Sequence, residues 1–222
     1  MIILDSTSLM KTVDNINDMY LQGDAITSDA GLEAARWIAS QQGGKGSYRG
    51  MFAPTQLDFE QGIHLFTGEK LAYASARHIL GEEAARAVWL LGRQDDVVRA
   101  AYDRAIKWML EIPTTHLDGT FCCGRCTPAF WRHFWVGDFK NQEDFLVKGI
   151  RTLKDHRLGD GKWRRYPYYY TIYTLLDIDL EPAIEELTYA RPLMERYVKT
   201  NRVGIFAQRR KIILHKALEI VS

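Results

Sequence analysis

Apolar positions along the chain recur at three- and four-residue intervals, and no stretch shows the period-two alternation of a half-buried strand. Helices are therefore expected throughout. Asp5 or Ser6 caps a first helix running to about Gln22, and SDAGLEAARWIASQQ (28–42) places Leu32, Ala35, Ile38 and Ala39 on one stripe before Gly43-Gly44 stops it. Thr55 and Asp58 have the spacing of a capping box and open QLDFEQGIHLF, where Phe59, Ile63 and Phe66 recur at helical spacing. Gly68 and Gly81 read as stops that bracket EKLAYASARHIL, and EEAARAVWLL then runs to Gly92. Residues 95–112 form another helix ending at Pro113, and Thr127 with Pro128 starts AFWRHFWV. Segments 142–156, 166–176, 182–198 and 205–221 complete about ten helices, with Pro192 kinking or dividing the one that contains it. The fold class is all-α, a single domain over 1–222 with no low-complexity linker.

One pattern occurs three times: a helix with a polar face, a turn with glycine followed two positions later by an aromatic, and then a much more apolar helix. The turns are GSYRG (Gly46, Tyr48), GTFCC (Gly119, Phe121) and GKWRR (Gly161, Trp163). Glycine permits the backbone of the turn, and the aromatic can wedge the paired helices. YPYYYTIYTLL is apolar nearly all round and reads as an inner helix, whereas QEDFLVKGIRTLKDH is amphipathic and reads as an outer one. Such hairpins build a solenoid or a closed ring.

DGKW and DGTF, each after an outer helix, together with YPYYYTIYTLL, resemble the repeats of α/α-toroid proteins such as the squalene–hopene type of terpenoid cyclase and the β-subunits of protein prenyltransferases. The resemblance covers roughly residues 30 to 200. It implies helical hairpins arranged as an α/α toroid or partial toroid over about 28–200, followed by a terminal helix at about 203–221. It also implies an aromatic-lined central cavity for an apolar, isoprenoid-type ligand. The Asp-x-Asp-Asp motif of alkene-protonating cyclases has only DIDL (Asp177, Asp179) as its nearest counterpart, and the zinc set of the prenyltransferases has no clean copy. The alternative is a non-catalytic helical-repeat module that binds protein partners, completes a ring with a partner subunit, or self-associates as a homo-oligomer.

Composition narrows this further. Twenty-nine Lys and Arg against 28 Asp and Glu leave no overall field to draw the chain to nucleic acid. No apolar run is long enough for a membrane span, and MIILDSTSLM lacks the basic region of a signal peptide. The three cysteines lie within five positions, a poor disulfide framework, so a reducing cytoplasm is expected. QRRKIILHK (208–216) is a basic amphipathic piece that can touch a membrane surface or an acidic partner.

The most pointed chemistry lies in HLDGTFCCGRCTPAFWRH. Cys123 and Cys126 have the spacing of a metal-binding turn, Cys122 adjoins them, and His116 and His133 flank them, a set that can supply the four ligands of zinc. Cys126, near a helix N-terminus, is also a candidate nucleophilic thiol, and simple packing of small side chains is the third reading. Arg49 and Arg164 lie three residues after their turn glycines and Arg125 lies nearby in the middle repeat; with inner-helix N-termini they can bind a diphosphate or carboxylate. Trp131, Tyr168, Tyr169 and Tyr173 are the ligand-lining aromatics, against a reading as plain core. Asp58, Glu60 and His64 are the candidate acid–base groups, with capping as the competing role of Asp58.

Overall fold

The computed structural model describes residues 3–112, 116–200 and 202–222, among which ten α-helices form and no strand does. Three isolated antiparallel bridges tie loops together, at Gln42 and Phe52, His64 and Lys70, and Arg157 and Trp163. The contacts divide the chain into two compact units. The first comprises Met1–Leu65, Lys70–Ile112 and Val136–Asp138; the second comprises Phe66–Glu69, Pro113–Trp135 and Phe139–Ser222. The expected helix stop at Pro113 lies outside the described residues.

The first unit holds α1 (Leu9–Gln22), α2 (Ser28–Ser40), α3 (Gln56–Gln61), α4 (Tyr73–Gly92) and α5 (Asp96–Ile106), the last continuing into a 3-10 turn, Lys107–Glu111. α4 packs on α1, α2 and α5. Every side chain from His78 to Trp89 is accordingly buried, as a helix enclosed by others requires. This corrects the expected stop at Gly81: the helix runs through it. Glycine inside a helix costs about 1 kcal/mol relative to alanine, but a Cβ here would stand 3.3 Å from Met51. α3, by contrast, ends at Gly62 (φ 82°), so Ile63 and Phe66 are each buried from a loop rather than from the expected helix. Four buried polar side chains of α4 are engaged: Asn17 donates to Glu83 (3.0 Å) and accepts from Arg86 (3.2 Å), and His78 pairs with Glu82 at 3.1 Å.

Asp58 organises the start of two helices. Its fully buried carboxylate accepts from the Ser8 hydroxyl and the amides of Leu9 (3.0 Å) and Met10 (3.3 Å) at the head of α1, and from the Thr55 amide (2.8 Å) at the head of α3. Charged oxygens suit the positive end of a helix, where amides lack partners within the helix.

The second unit holds α6 (Thr127–Val136, its last residue in the first unit), α7 (Gln142–Arg151, continued by the 3-10 turn Thr152–His156), α8 (Tyr168–Asp177), α9 (Glu181–Tyr197) and α10 (Ile205–Ile220). α9 packs on α7, α8 and α10, and α8 on α10. Pro192 sits inside an unbroken α9. Residues 127–134 of α6 and 170–175 of α8 are buried without interruption, whereas α7 buries one face through Phe145, Leu146, Gly149 and Ile150.

The glycine-x-aromatic turns share a left-handed glycine: φ is 91° at Gly46, 75° at Gly119 and 90° at Gly161. In the second unit each also lies against a helix. A Cβ on Gly119 would fall 2.2 Å from the Phe145 carbonyl oxygen, and one on Gly149 would fall 2.1 Å from the Gly119 oxygen. The Trp131 indole donates to that same oxygen at 2.8 Å. A Cβ on Gly161 would approach Leu193 of α9 to 2.9 Å. Trp163 is buried there and donates to Glu186 at 2.8 Å, whose second oxygen takes Arg157 at 2.9 Å.

Two stability outcomes follow. Asp58→Ala, which strips capping bonds from both α1 and α3, lowers unfolding free energy by about 3 kcal/mol in a urea titration. Gly149→Ala, which drives a methyl into the Gly119 carbonyl, costs about 3 kcal/mol by the same measurement, whereas Gly159→Ala, with open space around it, costs only the strain of its positive φ, about 1 kcal/mol.

Candidate functional site

The segment joining the Gly119 turn to α6 carries all three cysteines. Asp118 orders its beginning by accepting from the amide (3.0 Å) and hydroxyl (2.9 Å) of Thr120. Phe121 anchors it, buried against Phe130 at 5.4 Å between ring centroids. Thr127 closes it: its hydroxyl reaches the carbonyls of Phe121 (2.8 Å) and Cys123 (2.9 Å). The amides of Cys126 and Thr127 both donate to the Cys123 carbonyl, so the turn winds directly into α6. Gly124 lets this turn lie against its neighbour, since a Cβ there would meet the Arg165 carbonyl oxygen at 3.0 Å and the Tyr166 ring at 3.1 Å.

The thiols are not equivalent. Cys122 and Cys123 are exposed and Cys126 is buried. The sulfurs of Cys123 and Cys126 are 3.5 Å apart, and that of Cys122 lies within 4.8 Å of Cys126. Partial burial raises the Cys123 pKa, but hydrogen bonding with the backbone of Cys126 and Arg125 and with the two neighbouring thiols outweighs burial and holds it below the ordinary thiol value. Cys126 is pushed far up, first by burial and then by the neighbouring sulfurs. The lowered pKa thus belongs to Cys123 and not to Cys126, the thiol expected to be nucleophilic, because hydrogen bonds favour the thiolate of the first and burial penalises that of the second.

His116 and His133 do not join these sulfurs in any group of three potential metal ligands among the described residues. His133 is seven residues beyond Cys126, about 10 Å along a helix axis, and packs on Phe139 at 5.6 Å; His116 packs on Phe121 at 4.9 Å. Among the described residues, the two expected imidazoles are therefore not gathered with the three sulfurs.

The remaining expected residues take these places. Trp131 and Tyr173 are core, and the guanidinium of fully buried Arg132 stacks 3.9 Å from the Tyr173 ring while pairing with Asp177 at 2.8 Å. Asp177, the acid of DIDL, is thus held by an arginine. Tyr168 and Tyr169 are half-buried, and Arg210 lies over Tyr169 at 4.6 Å. Arg125 and Arg164 are exposed on the second unit; Arg49, on the first, lies over Trp108 at 5.0 Å. Asp58 is the double cap already described, Glu60 is exposed and accepts from Gln56 (3.0 Å), and the His64 ring meets the Leu65 carbonyl at 2.9 Å. Arg132, which stands near Arg125 in the middle repeat, is buried and paired, and the buried charge of Glu186 was missed; a charged letter inside AIEELTYA was the available signal, since such groups are buried only when paired.

Comparison with protein-family models, with curated proteins and with solved structures finds no match to this chain. The likeness to α/α-toroid proteins accordingly rests on the turn motif and the inner-helix pattern alone.

The thiol assignment has a direct outcome. Iodoacetamide modifies Cys123 ahead of Cys126 in the native protein, and the Cys123 rate, followed by peptide mass spectrometry, reaches half its plateau at a lower pH than that of the same peptide unfolded. The sign follows from the lowered pKa: more thiolate is present at any neutral pH. Equal rates for Cys123 and Cys126 at pH 7 would sink the assignment.

Proposed function

We propose that the cysteine-bearing turn is the working part of the protein and that it exchanges its dithiol with disulfide substrates. The observation that carries this reading is the division of labour between two sulfurs 3.5 Å apart, one exposed with a lowered pKa and the other buried with a raised one. The Cys123 thiolate attacks one sulfur of a substrate disulfide, forming a mixed disulfide and releasing the first substrate thiolate. Cys126 then gives its proton to that thiolate and attacks the Cys123 sulfur, displacing the second thiolate. The substrate disulfide gains two electrons, and Cys123 and Cys126 end as a disulfide.

Oxidised glutathione tests this. Reduced protein releases two equivalents of glutathione and forms the 123–126 disulfide, Cys126→Ser stops at a mixed disulfide on Cys123, and Cys123→Ser releases at least tenfold less. Stoichiometric zinc in reductively purified protein, with thiols that react only after chelation, would replace exchange by a metal–thiolate role.

A second reading, drawn from the toroid resemblance, is the binding of an apolar, isoprenoid-type ligand among aromatic side chains. It is favoured by the Tyr168 hydroxyl, which is buried and makes no hydrogen bond to a described residue, amid Trp163, Tyr169 and Tyr197. Farnesyl or geranylgeranyl diphosphate then raises the melting temperature, and Tyr168→Phe reduces that rise; an unchanged melting temperature removes the reading.

A further inference from the structure

The end of the second unit where α9 hands over to α10 has a different character from the rest of the chain. Between Glu195 and Glu219 the sequence carries seven Lys and Arg and no Asp or Glu, in a protein whose formal net charge is +1. Two of these cations also serve the fold. Arg209 is buried over the Phe66 ring at 4.2 Å and donates to the Phe66 carbonyl at 3.1 Å, and Arg210 donates to the Thr67 carbonyl at 2.7 Å. Arg210 is only half-buried and also lines a crevice of about 30 Å³ together with Arg202, Lys211, Tyr169, Tyr197 and Thr200. No carboxylate lines it. Glu69, which acts on Tyr169 from the neighbouring loop, accepts a hydrogen bond from the Thr67 hydroxyl.

Two apolar side chains stand in solvent beside Arg202: Val203, in the same loop, is 97% exposed, and Ile205, the first residue of α10, 52%. Single exposed apolar residues are ordinary, but these two lie within a few residues of Arg202 and of its cationic crevice. We propose that this end of the second unit docks on membrane surfaces rich in anionic phospholipid, with headgroup phosphates taken by Arg202, Arg210 and Lys211 and with Val203 and Ile205 entering the boundary with the acyl chains. A small phosphate or an acidic peptide answers the cations and leaves the apolar tip in water; a lipid surface answers both. No described helix is long and apolar enough to cross a membrane, so the contact is peripheral.

Flotation with vesicles tests it, using phosphatidylcholine alone and phosphatidylcholine mixed with phosphatidylserine. The full chain floats with the mixed vesicles, less so as salt is raised. Arg202→Ala and Lys211→Ala each weaken binding about fivefold, and Val203→Asp about tenfold. All three positions are exposed, so unchanged thermal melts accompany these losses. Absence of binding, equal binding to the neutral vesicles, or wild-type binding by the double alanine variant overturns the proposal. So does a melting temperature raised by inorganic phosphate in a protein that ignores both vesicles, which identifies a small-anion site instead. Cysteine variants leave vesicle binding intact, so failure here and failure of thiol exchange are separate results.

Discussion

Two backbones meet in the second unit at Gly119 and Gly149, at a separation no side chain could occupy, and much of that unit depends on the meeting. With a Cβ on either residue the turn could not lie flat on α7, because the nearest atoms would be backbone oxygen and nitrogen at 2.1–2.3 Å. Close approach brings the Gly119 carbonyl under the Trp131 indole, which fixes the rotation of α6 and buries the donor without cost to its hydrogen bonding. Once α6 is held, Phe130 and Phe134 stack on each other at 5.3 Å and pack on Phe145 of α7. Gly161, lying against α9 with Trp163 on Glu186, applies the same device one hairpin later.

The thiol chemistry is a by-product of that geometry. The segment after Gly119 must wind into α6 within a few residues, so the turn before the helix hydrogen-bonds around Cys123 while Cys126 is buried. Hydrogen bonds to a thiolate stabilise it, and burial penalises it. Two chemically identical side chains three residues apart thereby acquire opposite acid–base character. A catalytic histidine is not needed for this asymmetry.

Buried charge shows the same economy. Glu186, Arg132 and Asp58 are fully enclosed, and each is matched by hydrogen bonds from more than one direction or by an ion pair together with an aromatic face. Removing one partner of such a set strands the other without water, which is why these residues constrain the fold more tightly than the exposed pairs do.

Periodicity along the chain determined the all-α class, the approximate span of most helices and the three left-handed turn glycines, because these are properties of a few consecutive residues. Ser8 lies close to the anticipated cap of α1, and Thr55 with Asp58 forms the capping box its spacing suggested. Tertiary structure decided the rest. Gly81 is a point of close approach to Met51 inside α4 rather than a stop, which depends on a loop 30 residues away. Asp58 also caps α1, through residues 48 to 50 positions earlier. Cys123 rather than Cys126 holds the thiol with the lowered pKa, and His133 packs on Phe139. Each of these turns on burial and on partners distant in sequence. Local pattern carries backbone shape, whereas desolvation and partner choice exist only after the helices have packed.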